Sequence, residues 1–260
     1  MKRVVVISDL HCGHRVGLTP PNWQTRQTDA DGYRKWGAQQ AGIWNWYKNE
    51  IEALKPIHLL VVNGDLIDGQ GKRSGGTELI APDRVNQIKM AQECIDVAGA
   101  TKIQVIRGTP YHSGEEEDWE DLLMRKNVKV GDFEQFTVNG LAFGCRHHIG
   151  NSSVPSGKHT ALMNEALWDL IWAEANLRVK TDILIRSHRH AFAYCRGLVG
   201  SQLLMVTPGM QGFGSKFGSR KCSGLVDIGF VHFDVETKGE YTWKVHLLVA
   251  KFLVGSLTKY

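Results

Sequence analysis

The sequence predicts an α/β fold of parallel strands joined by helices, from three observations. Short apolar runs rich in β-branched residues recur at Val4–Ile7, Ile57–Val62 and Lys102–Ile106. Runs of this kind bounded by loops mark strands buried on both faces. Segments with a 3.6-residue apolar period lie between them, so the order reads β-α-β-α-β-α, the pattern of parallel strands with helical crossovers. Each run also ends in side chains able to bind a metal ion, as expected where ligands gather at the strand ends of an α/β sheet.

The first run leads into Ser8-Asp9-Leu10-His11. Side chains alternate along an extended chain, so Asp9 and His11 are expected on one face. A long polar stretch, Cys12 to Asp31, follows, and long loops are often functional. Tyr33 to Leu54 reads as a helix, with Trp36, Ile43, Tyr47, Ile51 and Leu54 on one face and Trp44 and Trp46 widening it. These aromatics are expected in the core rather than as a base-stacking platform, and Pro56 marks the stop. The second run ends in Asn63-Gly64-Asp65-Leu66-Ile67-Asp68, and Asp83 to Ala98 is expected to be helical. The third runs into Arg107-Gly108-Thr109-Pro110-Tyr111-His112. A helix is expected from Glu116 to Lys126, where Glu115–Asp118 would favour its dipole.

The pattern then changes. Asp132 to His148 reads as a hairpin turned at Asn139-Gly140, with its second arm ending in His147-His148. Thr160 to Val179 reads as a helix. Asp182–Ile185 reads as a strand ending in Arg186-Ser187-His188-Arg189-His190. Ala191–Cys195, Gln202–Val206, Asp227–Glu236 and Tyr241–Ala250 read as antiparallel strands. No internal repeat or linker stands out, so residues 1–260 are expected to form one domain.

Composition sets bounds. Hydrophobic content of 42% and charged content of 22% over 260 residues fit a packed soluble core. A net charge of +4 permits a phosphate-bearing substrate without demanding nucleic acid. The five cysteines, Cys12, Cys94, Cys145, Cys195 and Cys222, are odd in number and contain no Cys-x-x-Cys pair. That argues against a disulfide framework or zinc ribbon and for a reducing compartment. With no signal-peptide core and no apolar run of bilayer length, a cytoplasmic protein without a membrane partner is expected.

Candidate ligands fall at five places: Asp9 and His11; Asp65 and Asp68; Thr109 and His112; His147 or His148; His188 and His190. Mixed Asp and His donors suit borderline divalent ions such as Mn²⁺, Fe²⁺ or Zn²⁺. Six or seven ligands exceed one tetrahedral site, so two ions sharing a carboxylate are expected, with Asp65 the natural bridge. Asp68 is expected to orient His11 by a hydrogen bond. Cys12 is expected to pack, and His14 and His159 to be solvated.

The ordered set Asp9-x-His11, Gly64-Asp65-x-x-Asp68, the box at Gly108, a later His and Ser187-His188-x-His190 resembles the motif series of calcineurin-like metallophosphoesterases. The resemblance runs from residue 4 to about residue 190. It implies a two-sheet α/β sandwich flanked by helices, with the metal site at strand ends and two divalent ions as cofactors: Mn²⁺ first, with Fe, Zn or Ni as alternatives. By the same resemblance Asp9, His11, Asp65 and His190 would hold one ion. Asp65, His188 and one of His147 and His148, with His147 favoured, would hold the other. The wording Gly-Thr-Pro-Tyr-His and His-His-Ile-Gly looks most like the branch carried by phages and prophages, which would place the protein in a host cytoplasm.

The third box departs from the family pattern. Thr109 stands where the family has an Asn ligand, and His112 comes two positions late. Pro110 biases Thr109 towards an extended conformation that can aim its oxygen at a metal. His112 either stabilises the transition state and protonates the leaving oxygen, the preferred reading, or supplies the missing ligand. Two Gly-rich segments, Gly69–Gly76 with Lys72 and Arg73 and Gly209–Gly224 with Lys216, Arg220 and Lys221, are expected as mobile loops, or alternatively as cationic flaps for a polyanionic substrate. The expected activity is dimetal phosphoester hydrolysis by a metal-activated hydroxide. A phosphodiesterase or nuclease acting on a nucleic acid or nucleotide comes first, a phosphomonoesterase second, and a metal-binding scaffold without turnover third.

Overall fold

The computed structural model describes residues 1–26, 31–114, 118–150, 155–197, 201–216, 218 and 226–249. The first apolar run forms β1 (Lys2–Ile7), in which Val4 to Ile7 are fully buried. Burying a Val or Ile contributes roughly 1.5–3 kcal/mol, and alternation divides that between two cores. Val5 and Ile7 face the helices, whereas Val4 and Val6 face a second sheet. β2 (Leu59–Asn63), β3 (Lys102–Ile106) and β4 (Val128–Gly131) extend the sheet in parallel on one side of β1. β10 (Gly229–Val235) and β11 (Tyr241–Leu247) extend it antiparallel on the other.

The second sheet holds β5 (Phe133–Val138), β6 (Leu141–Arg146), β7 (Ile183–Arg186), β8 (Ala193–Arg196) and β9 (Leu203–Val206), in the order β5-β6-β7-β9-β8. Asn139 and Gly140 turn its hairpin with φ of 49° and 89°, as a two-residue turn between twisted strands requires. Val4, Val6, Val61 and Ile106 of the first sheet share a core with Phe143, Ile185 and Met205 of the second.

Helices flank both sheets. α1 (Asp31–Ala53) and α2 (Arg84–Asp96) cover the outer face of the first, with Ile43, Tyr47, Ile51, Ile88, Ala91 and Ile95 in one core. Trp44 is buried there and Trp46 packs against it, so these aromatics serve the core. Asp83 caps α2 by accepting the Asn86 N–H at 2.8 Å. A single helical turn, α3 (Pro110–Ser113), follows β3. α4 (Thr160–Glu174) lies on the outer face of the second sheet, with Leu162 and Ala166 against Leu184, Leu204 and Val206. The two-sheet α/β sandwich with flanking helices is thus the architecture observed.

Several details differ from expectation. Of the helix expected over Glu116–Lys126, the described residues form only a 3₁₀ segment, Trp119–Leu123; Glu115, Glu116 and Glu117 lie outside the described residues. Asp118 and Asp121 are drawn back onto Arg107, and Leu122 and Met124 are exposed, so no apolar face favours a longer helix. α4 stops at Glu174 rather than Val179, because Asn176 turns left-handed (φ 56°) and Val179 bonds Gln135 of β5. β4 was too short a run to anticipate. β9 pairs parallel with β7, not only antiparallel with β8, because the chain reverses twice between them. No helix among the described residues is long and apolar enough to cross a membrane.

Candidate metal centre

The ends of β1, β2, β3, β6 and β7 open onto one place, but extended alternation does not align the side chains there. β1 stops at Ile7, and the chain then turns: Asp9 N–H donates to Gly64 O and His11 N–H to Asp65 O, each at 3.0 Å. Asp9 (φ 53°), His11 (45°), Asp65 (48°), His188 (71°) and His190 (50°) are all left-handed. The expectation that Asp9 and His11 share a face through extended backbone is therefore corrected, and His188 and His190 are left-handed in the same way. Left-handed backbone costs a non-glycine residue about 1–2 kcal/mol, and among the described residues only Asn139, Asn176 and Lys238 also adopt it outside glycine. Strain concentrated at one place points to function.

The side chains form three overlapping clusters: Asp9, His11 and His190; His11, Asp65 and His112; Asp65, His147 and His188. In each, the donor atoms lie within 4.8 Å of one another. His11 Nε2 is 3.3 Å from His190 Nε2, which lies 3.1 Å from Asp9 Oδ1. His147 Nε2 lies 3.0 Å from Asp65 Oδ2, and His188 Nδ1 3.9 Å. Asp9 Oδ1, His147 Nε2 and His188 Nδ1 are buried and satisfied by no hydrogen bond of good geometry. Buried polar atoms rarely go unsatisfied. Three of them aimed into one nest of N and O donors fit a divalent cation.

The His11 and His147 rings are held to present Nε2. His11 Nδ1 lies 3.1 Å from Asp68 Oδ1, and His147 Nδ1–H donates to Asn63 O at 2.7 Å. Such bonds set the tautomer and direct the other nitrogen at an ion. Below the site, Asn63 Nδ2 donates to Ser187 Oγ, and the Ser187, Thr207 and Ser8 hydroxyls form a chain that ties the two sheets together.

Charge follows the geometry. Burial pushes the Asp9 carboxyl up, but His190 and His147 outweigh it and bring it to about 2. Asp65 is also held well below its ordinary value, with His147 outweighing burial. Burial and His112 lower His11 to about 4. Burial opposes protonation of His147, but Asp65 and Asp9 raise it to about 9; Asp9 likewise raises His190 against burial. Near neutral pH the carboxylates are charged and His11 is neutral, the forms that ligate. The extra proton on His147 is the one a cation would displace.

His147 is buried in this nest, whereas His148 is exposed with its ring 4.9 Å from that of His188. Thr109 N–H and Oγ1 both donate to Asp65 Oδ1, at 2.7 and 3.1 Å. His112, in α3, stands edge-on to His11 with ring centroids 4.6 Å apart. Its Nδ1 lies 3.0 Å from Asp68 O and 3.6 Å from Asp68 Oδ1, so Asp68 touches both rings.

Sequence reasoning missed the clamp behind Thr109. Gly108 N–H donates to Oε1 of the fully buried Glu120 at 3.1 Å, and Arg107 pairs with Asp118, Asp121 and Asp132. Burial raises the Glu120 carboxyl to about 7. The only sequence signal was an acidic run facing one arginine. His14, expected in solvent, is buried: its Nδ1 accepts the Val16 N–H at 3.2 Å and its Nε2 lies 3.8 Å from Glu78. His159 is exposed and Cys12 is packed, as expected.

The second Gly-rich segment meets the two residues that follow the first: Lys216 N–H donates to Glu78 Oε1 and its Nζ to Thr77 Oγ1. The start of the second is part of the site's wall, since Met210 is buried with its N–H 3.0 Å from Ser8 O. The Arg73 side chain, Arg220 and Lys221 lie outside what the structure describes.

No protein-family model matches the chain, and no curated protein matches it. Among solved structures it is similar to Vps29 complexed with Zn²⁺ from Entamoeba histolytica, at 14% identity over 96% of this chain and 94% of that one, with a TM-score of 0.47. It is similar to an archaeal phosphodiesterase at 15% identity over 94% and 99%, with a TM-score of 0.46. It is also similar to a dimetal phosphatase from Danio rerio at 11% identity over 94% and 95%, with a TM-score of 0.46. These are likenesses of chain path.

Proposed function

We propose that the chain is a two-metal phosphoester hydrolase of the calcineurin-like type, acting on phosphodiesters. The observation that carries this reading is the convergence of Asp9, His11, Asp65, His112, His147, His188 and His190 into three donor clusters, the first joined to the second through His11 and the second to the third through Asp65. Asp9, His11, Asp65 and His190 would hold one ion; Asp65, His147 and His188 the other. Mn²⁺ is the first choice for this donor set, with Fe, Zn and Ni as alternatives. Bound there, such ions supply Lewis-acid activation of a phosphoryl oxygen and a water of lowered pKa.

The chain's own residues do the rest. Thr109 fixes the rotamer of Asp65 through its two donated bonds, whether or not its oxygen also reaches an ion. Asp68 holds His11 and His112 in place. His112, with Nδ1–H donated to Asp68 O, presents Nε2; as the imidazolium it delivers its Nε2 proton to the leaving oxygen as the P–O bond breaks and is left as the neutral ring. A diester is favoured over a monoester because the two basic, Gly-rich segments begin at the site, Gly69 against His112 and Gly209 against Asp9 and His190, and nucleic acid or a nucleotide is the substrate class this suggests.

Initial rates on bis-p-nitrophenyl phosphate and p-nitrophenyl phosphate with Mn²⁺ test the proposal. Faster turnover of the diester supports it, a large preference for the monoester moves the assignment to a phosphomonoesterase, and no turnover with any divalent ion leaves a metal-binding scaffold. The cluster of His112 with His11 and Asp65 favours a second role for His112, as a ligand. His112→Gln separates the two: lost turnover with unchanged metal content supports proton delivery, and lost metal supports ligation.

A further inference from the structure

The second sheet's helix has an uncovered face. α4 is apolar around most of its circumference, yet among the described residues one side packs, through Leu162 and Ala166 with Ala161 and Met163 beside them. On the other side Leu167, Trp168, Ile171 and Trp172 are 58%, 56%, 46% and 38% exposed. Leu177 and Val179, in the segment after the helix, are 65% and 63% exposed. That segment folds back on α4: Leu177 N–H donates to Trp172 O, and the Arg178 guanidinium lies 5.3 Å from the Trp172 ring centre. A helix apolar on all sides is ordinarily buried on all sides. Taking ~200 Å² for each large side chain, the face exposes roughly 600 Å², the upper end of what a lone protein leaves uncovered.

We infer that this face is the interface of a homodimer, with α4 packed against α4 of a second copy about a two-fold axis. Two such faces bury roughly 1,200 Å² from these side chains alone, where stable interfaces begin. The shape is self-complementary. Leu167 with Ile171 and Trp168 with Trp172 form two rows at i, i+4 spacing, and the groove between them accepts a row from an identical helix. A bilayer is the poorer occupant, because a membrane-surface helix is rich in Lys and Arg along its polar face, whereas Thr160–Glu174 contains neither and Arg178 of the following segment lies over the Phe133 and Trp172 rings. The dimer is independent of the metal centre and of the activity proposed for it.

Sedimentation equilibrium of the full chain over micromolar concentrations tests the inference. The wild type is expected to be a dimer, and Trp168→Glu to weaken dimerisation at least ~30-fold, as for a central interface tryptophan, with unchanged far-UV circular dichroism. Ile171→Cys guards against a folding failure: under mild oxidation it should give a covalent dimer, whereas Val249→Cys, exposed elsewhere, should not. A monomer at every concentration would overturn the inference. So would a dimer indifferent to both α4 substitutions, or a monomer that binds phosphatidylserine vesicles and loses them with Trp168→Glu.

Discussion

At the ends of β1 and β2 the site is made from the backbone itself, whereas at the end of β3 it is made from side chains that hold a loop in place. Asp9, His11 and Asp65 are left-handed and buried, each locked by main-chain bonds to the neighbouring strand's loop. Thr109 has an ordinary extended backbone (φ −71°, ψ 144°), and Glu120 and Arg107 set its position from behind. The first arrangement fixes donors at the cost of strain and leaves no freedom to the chain. The second adjusts, which is how Thr109, Pro110 and Tyr111 are accommodated beside Asp65.

The largest effect should come from the carboxylate that both arrangements share. Asp65→Asn is expected to lower hydrolysis of bis-p-nitrophenyl phosphate by at least ~10²–10³-fold, the scale of losing one preorganised transition-state contact; near-normal rates would remove Asp65 from the centre. Next come two glycines that contrast the two ends. Gly64 has φ 86°, and a β-carbon there would overlap the His147 ring. Gly64→Ala should cost about 2–3 kcal/mol in urea denaturation. At Gly108 the φ is not left-handed, but a β-carbon would overlap Asp65 Oδ1 and also the Asp65 backbone N and Cα. Gly108→Ala should therefore cost about 1–3 kcal/mol by overpacking alone and lose turnover as Asp65 is displaced. Turnover kept in Gly108→Ala would break the contrast.

The clamp sharpens it further. Glu120→Ala should lower metal affinity or turnover by ~10–100-fold, as loss of a supporting hydrogen bond does. Glu120→Gln keeps an acceptor for Gly108 N–H and should restore most of it; equal loss in both would argue against positioning.

The smallest effect concerns Glu78, which joins the loops beyond β1 and β2 to Lys216. Burial would raise its carboxyl, but His14, the Lys216 N–H and Arg15 bring it from 4.5 to about 2. A carboxyl held low contributes stability that is fully present above its unfolded value and is lost as pH falls through its folded one. Thermal melts should therefore show this contribution intact above pH 4.5 and fading towards pH 2. Glu78→Gln should lose it at neutral pH and flatten that acid slope.

Much of this was legible in the sequence, for identifiable reasons. Val4–Ile7 and Leu60–Val62 are buried on both faces, so the apolar run that builds each strand is also its signature. Asn139-Gly140 allows one tight turn. The nest's donors sit at strand ends, and adjacent parallel strands can only bring those ends together. The same local reasoning failed where a distant partner decided the outcome. Asp118 and Asp121 would start a helix if left to themselves, but Arg107 takes them and a 3₁₀ segment results. His14 looks like a loop histidine until Glu78 buries it.

The order of residue types along the chain thus determined that Asp and His donors would collect above a parallel sheet, because strand burial and ligand chemistry are local properties. Folding decided the rest: that Asp9, His11 and Asp65 reach the site through left-handed turns, that Glu120 holds Thr109 from behind, and that one face of α4 is left bare. Those outcomes depend on which distant atoms exclude water from one another, and that is settled only when both sheets have packed.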